Sequence, residues 1–277
     1  MSRSHGRLSI AASGAPRDLM GPRRLARAWT ASVATLLPDV FPGPLGASLT
    51  GRALQEGLWQ LRLTDLRAHG LGRHRQVDDA PFGGGPGLVI RPDVADAALR
   101  EAREGMQDAP VIYLSPRGEP ITHALTKRLA AGPGAVLLCG RFEGVDERVL
   151  EAHGAVEVSL GDFVMTGGEL AAMALIDASL RHIGGVLGNQ RSVEEESFAQ
   201  GLLEHPQYTR PADWKGRAVP EVLLSGDHGA VARWRRDTAE RLTRERRPDL
   251  WRAHTGADGD EDQSPRQAKE QGDKPAL

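Results

Sequence analysis

Between Trp29 and Leu187 the chain alternates short apolar runs with segments of helical period. Ala31–Leu37 reads as a buried strand closed by Pro38. In Leu58–Thr64, Trp59, Leu61 and Leu63 alternate with polar neighbours, the pattern of a half-buried strand. Leu88–Ile90 is a further short strand, and Pro92, suited to a first helical turn, opens a helix over Pro92–Arg103. Val111–Leu114, Ala135–Cys139 and Ala155–Leu160 are strands. A helix over Ile121–Ala130 separates the first two, and a longer, largely apolar helix follows over Gly168–His182. Strands alternating with helices predict an α/β domain with a mainly parallel sheet.

After Leu187 the pattern changes. Asn189–Glu196 is polar and ends in three glutamates, and Pro206–Pro220 holds three prolines and no period, as in a linker leading to a second unit. Gly229–Trp251 is helical. Val231, Trp234, Thr238 and Leu242 share one face of it, and Arg233, Arg236, Arg244 and Arg247 the opposite one. Residues 1–28 are aperiodic and rich in Arg, Ser, Gly and Ala, a composition shared by transit peptides and disordered extensions, or the true start lies nearer Met20. The expected organisation is a disordered extension over 1–28, a catalytic domain over 29–187, a linker over 188–205, a helical domain over 206–252 and a disordered tail over 253–277.

Composition narrows the class. A chain of 277 residues, 40% hydrophobic and 26% charged, has the profile of a soluble globular protein of one or two domains. No apolar run approaches the roughly 20 residues that span a bilayer. The lone Cys139 cannot form an internal disulfide, so a cytoplasmic location is expected, with no membrane partner. The net charge of −2 hides an uneven distribution: residues 231–252 carry eight arginines against four acidic residues.

Three strands end in glycine-bearing turns: Tyr113–Gly118, Cys139–Gly144 and Ser159–Gly168. Ligands of open α/β sheets bind beyond the carboxyl ends of strands, and three such turns could wrap a small ligand with backbone groups. Each turn alone is more often an ordinary sheet connection. The chain has no dinucleotide-binding G-x-G-x-x-G, no phosphate-binding G-x-x-x-x-G-K-[ST], no zinc-spaced Cys/His cluster and no G-x-S-x-G elbow.

Several runs together resemble the bacterial tRNA (guanine-N1)-methyltransferases, in that family's order, over about residues 29 to 251. They are Arg73–Gly87, Cys139–Arg148, Leu160–Leu170, Ser197–Leu203, His205–Pro211 and Val222–His228. The resemblance implies a SPOUT-type α/β domain, its mainly parallel sheet tied in a deep trefoil knot, plus a small C-terminal helical domain that helps bind tRNA. It also implies a homodimer whose active site is built from both subunits, and S-adenosylmethionine as methyl donor. The resemblance also implies magnesium, but no ligand cluster places it in this sequence, so no metal ligand is assigned.

Methylating guanine N1 requires a base for its proton and a donor near O6 for the charge that develops. By the resemblance, Glu196 is the base, where the family has an aspartate, and Arg181 stabilises O6. The ordinary alternatives are a solvated acidic run for Glu194–Glu196 and a helix-terminal arginine for Arg181. Donor binding falls to Tyr113, Leu114, Ser115, Gly140, Glu143, Leu160, Gly161, Asp162, Phe163, Val164, Met165, Gly167 and Gly168. Asp177, one turn before Arg181, could pair with it. Ala171 and Gly184 stand where proline is expected, which bears on donor affinity. The tRNA contacts are expected at Arg73 and His74 and on the arginine face through Arg233 and Arg236. With aromatics at only 4%, recognition is expected to lean on backbone and hydrogen bonds. The competing readings are an inactive RNA-binding member of the superfamily and one with a different RNA target.

Overall fold

The structure, a computed structural model, describes residues 28–188 and 196–256. The expectations for residues 1–27 and 257–277, and for 189–195 within the linker, lie outside the described residues.

Five parallel strands form the central sheet: β1 (Trp29–Thr35), β2 (Trp59–Asp65), β5 (Val111–Pro120), β6 (Gly134–Cys139) and β7 (Val156–Ser159). Their order across the sheet is β2-β1-β6-β5-β7. Two-residue strands β3 (Asp78–Asp79) and β4 (Val89–Ile90) pair antiparallel beside it, as do β8 (Asp213–Trp214) and β9 (Arg217–Ala218) further on. The helices are α1 (Ser48–Gln55), α2 (Pro92–Ala102), α3 (His123–Ala131), α4 (Glu147–His153), α5 (Glu169–Leu180), α6 (His228–Arg246) and α7 (Pro248–Thr255).

The two-residue period of the strands divides their side chains between two cores. Ile112, Leu114, Ala135, Leu137 and Cys139 join α5 residues Ala172, Leu175 and Ile176 on one face. Val111, Tyr113, Val136 and Leu138 join α2 residues Val94, Ala98 and Leu99 and α4 residues Val149 and Leu150 on the other. A parallel sheet covered on both faces is the arrangement that strand–helix alternation predicts. The polar residues of β1 are buried with partners: Ser32 Oγ donates to Ala102 O at 2.7 Å, and Thr35 Oγ1 to Glu169 Oε1 at 2.8 Å.

The structure departs from the sequence expectations at several places. β5 does not stop at Leu114; it runs through the expected turn to Pro120, with a register shift against β7 between Leu114 and Glu119. The β2 alternation is incomplete, because Trp59 is buried whereas Leu63 stays exposed on an edge strand. The expected single helix over Gly229–Trp251 is two helices. Pro248 lacks an N–H and pushes its predecessor out of helical geometry, and Arg247 sits at φ −137°, ψ 71°. Helices α1 and α4 were not expected.

Candidate active site

The three strand-end segments converge. Beyond the carboxyl ends of β6 and β7, and beside the middle of β5, they line a cleft of about 1010 Å³. Tyr113, Leu114 and Ser115 come from β5, Gly140 and Glu143 from the turn after β6, and Leu160, Phe163, Val164, Met165, Gly167 and Gly168 from the segment after β7. Gly161 and Asp162 belong to that last segment but do not line the cleft. The segment is pinned to the β6 turn by Gly168 N–H donating to Gly140 O at 3.0 Å and by a bridge between Arg141 and Gly167. Its apolar side chains stay open to solvent, Val164 at 84% and Phe163 at 54% exposure, beside a polar mouth. Exposed apolar surface within a concavity marks a place for a ligand.

The floor requires close packing. A Cβ on Gly140 would lie 2.8 Å from the Tyr113 hydroxyl and 2.9 Å from its ring. Burial pushes the Tyr113 hydroxyl above its usual pKa, partly offset by the Val145 backbone N–H, so it stays protonated. Burial, then the Glu169 carboxylate, likewise pushes the Cys139 thiol well up, which makes it an inert core residue.

A fourth wall was missed in the sequence. Asp79–Phe82 and Val89–Pro92, which flank the glycine-rich loop, complete the cleft. They are fastened to the β6 turn by Glu143 N–H to Leu88 O and Ile90 N–H to Gly144 O, both at 2.9 Å. Gly87, at φ +82°, lies against Glu143: a Cβ there would meet Glu143 Cγ at 2.5 Å. The apolar run Leu88–Ile90 gave this strand in the sequence but not its neighbour. Around the cleft the charges are largely paired: Arg91 with Asp79 and Asp93, Arg117 with Glu147 and Glu157, and Arg148 with Asp146.

Arg181 follows the last turn of α5, and its guanidinium forms an ion pair with Glu196. The expected partner Asp177 is exposed and takes no part. It meets Arg181 through the helical backbone bond, Arg181 N–H to Asp177 O at 3.3 Å. At the end of α5 the guanidinium turns away from the preceding helical turn, towards Glu196. Neither Arg181 nor Glu196 lines the cleft of this chain. Beside them, His182 packs edge-on to His123, with ring centroids 4.9 Å apart. Burial, then the positive neighbours His123, Lys127 and Arg181, hold it below its usual pKa.

Arg73 and His74 are exposed on the turn closed by the Leu71–Gln76 bridge. Arg233 and Arg236 are exposed on α6, opposite buried Thr238 and Leu242, as the wheel predicts. None of the four borders the cleft. Ala171 does, whereas Gly184 is an exposed residue away from it. Among the described residues, no cluster of three or more His, Cys, Asp and Glu could hold a metal, and no helix is long and apolar enough to cross a membrane.

The family model described as tRNA (Guanine-1)-methyltransferase TrmD matches residues 30–253. The chain belongs to that family. Curated relatives named tRNA (guanine-N(1)-)-methyltransferase agree over nearly their whole lengths. The one from Ruegeria pomeroyi is 64% identical over 233 residues, 84% of this chain and 96% of its own. Those from Cereibacter sphaeroides strain KD131 and Gluconobacter oxydans are 60% and 57% identical, covering 85% and 82% of this chain and 97% and 96% of their own.

Proposed function

We propose that the protein transfers a methyl group from S-adenosylmethionine to N1 of the guanosine at position 37 of tRNA, beside the anticodon. The observation that carries this reading is the cleft itself. A concavity of about 1010 Å³ stands at the upper end of the roughly 300–1,000 Å³ range of small-molecule sites, room enough for a nucleoside-sized donor. Its residues suit such a group: backbone N–H and C=O groups of the strand-end turns for a purine edge, and Leu114, Leu160 and Met165 for apolar contact. When bound, the donor supplies an electrophilic methyl on a sulfonium.

The remaining chemistry belongs to the chain's own side chains. Glu196 accepts the N1 proton, and Arg181 donates hydrogen bonds to O6 as charge gathers there. Because this pair stands outside the lining of its own chain's cleft, it serves the cleft of a second copy, in a homodimer with shared sites. Two features support a trefoil knot: the strand order β2-β1-β6-β5-β7, and the 159–168 segment held against the turn after β6. Residues 29–187 would form the catalytic domain, 188–205 a linker and 206–252 a helical tRNA-binding domain in which Arg233 and Arg236 meet phosphates, with Arg73 and His74 adding contacts from the first domain. Magnesium has no assigned ligands in this scheme, and the cytoplasm is the proposed location.

The test is methyl transfer from labelled S-adenosylmethionine to two tRNA transcripts, one with guanosine and one with adenosine at position 37. Label in the guanosine transcript alone is expected. Label in both would shift the target within the superfamily, and donor binding without transfer to either would favour an inactive RNA-binding member.

A further inference from the structure

A second cavity, of about 320 Å³, lies between the start of α6 and the segment that leads to it. Its floor is apolar, with Leu223 and Val231, while Tyr208, Arg210, Trp234 and Arg235 stand around it. No lining residue is shared with the donor cleft, and no lining residue is acidic. The charges of the two sites differ in kind. Of the four arginines lining the cleft, Arg91, Arg117 and Arg148 are committed to carboxylates and Arg141 donates to Thr166 Oγ1, and the cleft also carries acidic residues; in the second cavity, among the described residues, neither Arg210 nor Arg235 forms an ion pair. An uncompensated cationic rim over an apolar floor fits a ligand with a flat apolar body and an anionic group.

The aromatic placement supports the same ligand. Tyr208 is 48% exposed and tilted 60° to Trp234 at a centroid separation of 6.2 Å, which leaves part of its ring open. The β8–β9 hairpin rises from Ala212 and Val219, both lining residues, which are joined by Val219 N–H to Ala212 O at 2.8 Å. At its tip Trp214 is 54% exposed and flanked by Lys215 and Arg217, whose cations lie 5.2 Å and 5.6 Å from the ring centroid. The hairpin's one carboxylate, Asp213, accepts from Gly216 N–H at 3.0 Å and so is occupied within the turn. Aromatic faces beside cations are how proteins hold unpaired nucleotides, whose bases stack and whose phosphates pair.

We propose that this cavity takes one unpaired nucleotide of the tRNA, its base against Tyr208 and its phosphate between Arg210 and Arg235, outside the site of methyl transfer. The proposal rests on the tRNA substrate proposed above and adds where a second nucleotide is held. A volume of about 320 Å³ is on the scale of one nucleotide, so a splayed residue of a loop is the fitting occupant.

The experiment uses the full chain with Tyr208→Ala and Arg235→Gln, and measures tRNA binding across salt, donor binding and the methyl-transfer rate. Each variant should weaken tRNA binding about ten-fold, the scale of one stacked base or one phosphate contact. Arg235→Gln should also flatten the salt dependence by about one unit of slope. Donor affinity and kcat at saturating tRNA should not change. Wild-type affinity in both variants overturns the proposal. So does weaker binding that follows only from a changed oligomeric state in size-exclusion chromatography, since the cavity would then be covered by a second copy. A check independent of variant folding is ultraviolet cross-linking of wild-type protein to thiouridine-substituted tRNA. Cross-links at 205–219 or 231–235 are expected, and their absence overturns the assignment. If the wild type neither binds nor methylates tRNA, the proposed function itself fails. If it does both while the variants bind normally, only the cavity assignment fails.

Discussion

Replacing Glu196 by glutamine separates the two roles that its pairing with Arg181 could have. The side chains of the pair are 40% and 31% exposed, so solvent screens their attraction. A pair of that kind contributes about 0–1 kcal/mol to stability. Glutamine keeps the length and an acceptor oxygen for the guanidinium, so the melting temperature should move by no more than about 2–4 °C for a chain of this size. The catalytic consequence is of another order. Losing a positioned general base costs about 10²–10⁴ in rate, or roughly 2.7–5.4 kcal/mol of barrier at 1.36 kcal/mol per decade. Single-turnover transfer to the guanosine-37 transcript, at saturating tRNA and donor, reads this directly. Glu196→Gln should lose at least about 100-fold, with tRNA and donor affinities near wild type. Glu196→Asp keeps the charge one methylene shorter and should recover at least about ten-fold of that loss, because proton acceptance survives while alignment suffers. Raising the pH should rescue the glutamine variant more than the wild type, since solvent base then replaces the missing carboxylate. A glutamine variant within about three-fold of wild type would mean that another group takes the N1 proton.

Asp177→Asn should leave transfer within about two-fold of wild type, because Arg181 is paired to Glu196 and not to Asp177; a loss near that of Glu196→Gln would overturn this division of roles. Gly140→Ala places a methyl 2.8 Å from the Tyr113 hydroxyl, and this crowding of a buried ring should cost about 1–3 kcal/mol of stability and weaken donor binding measured by calorimetry. Leu175→Ala, on the wholly buried side of α5, should cost about 2–5 kcal/mol in denaturant titrations without altering the transfer rate of the folded fraction. His182 lies below its usual value of 6.5, so the unfolded chain binds its proton first as pH falls. Its contribution is full above that value and is lost as pH drops from 6.5 through the folded pKa; melts between pH 7.5 and 5 should show a decline that His182→Gln flattens, and identical slopes would exclude it.

Much of the α/β domain was legible because each strand's apolar run is bounded by glycine or proline, because α2 carries a clear helical period and because α5 is one long apolar run. What escaped depends on partners distant in sequence. Ser115–Pro120 is polar and proline-broken, yet it continues β5, because Glu119 and Pro120 pair again with Val158 and Ser159 of β7 after a register shift. Helix α4 has only Val149 and Leu150 as buried apolar residues, too few to show a period, though Asp146 capping the Arg148 N–H was a readable start signal. The break at Pro248 was also readable, and the regular arginine spacing on either side of it masked it. The same division holds for the candidate site. The three strand-end turns announce themselves by glycine, whereas the wall at Asp79–Phe82 is present only because β4 docks on the β6 turn.

The Arg181–Glu196 contact carries the most functional argument and had the least local signal, since no helical or strand period relates two residues on either side of a polar segment. Its chemistry explains why a closed pair suits the proposed reaction. While Glu196 holds the guanidinium, both charges are satisfied and neither drives an unproductive proton transfer. When guanine O6 takes over part of the Arg181 hydrogen bonding, Glu196 loses its counterion as N1 comes within reach, and a carboxylate deprived of a cation is the stronger base. The same exchange makes the arginine a better donor to the oxygen where charge accumulates. In the proposed reaction, a pair that opens only on substrate binding would thus supply the hydrogen-bond donor for O6 and the base for N1 together. Arg181→Lys, which keeps the charge and loses the planar fork, should transfer methyl well below the wild-type rate, and an equal rate would refute this exchange.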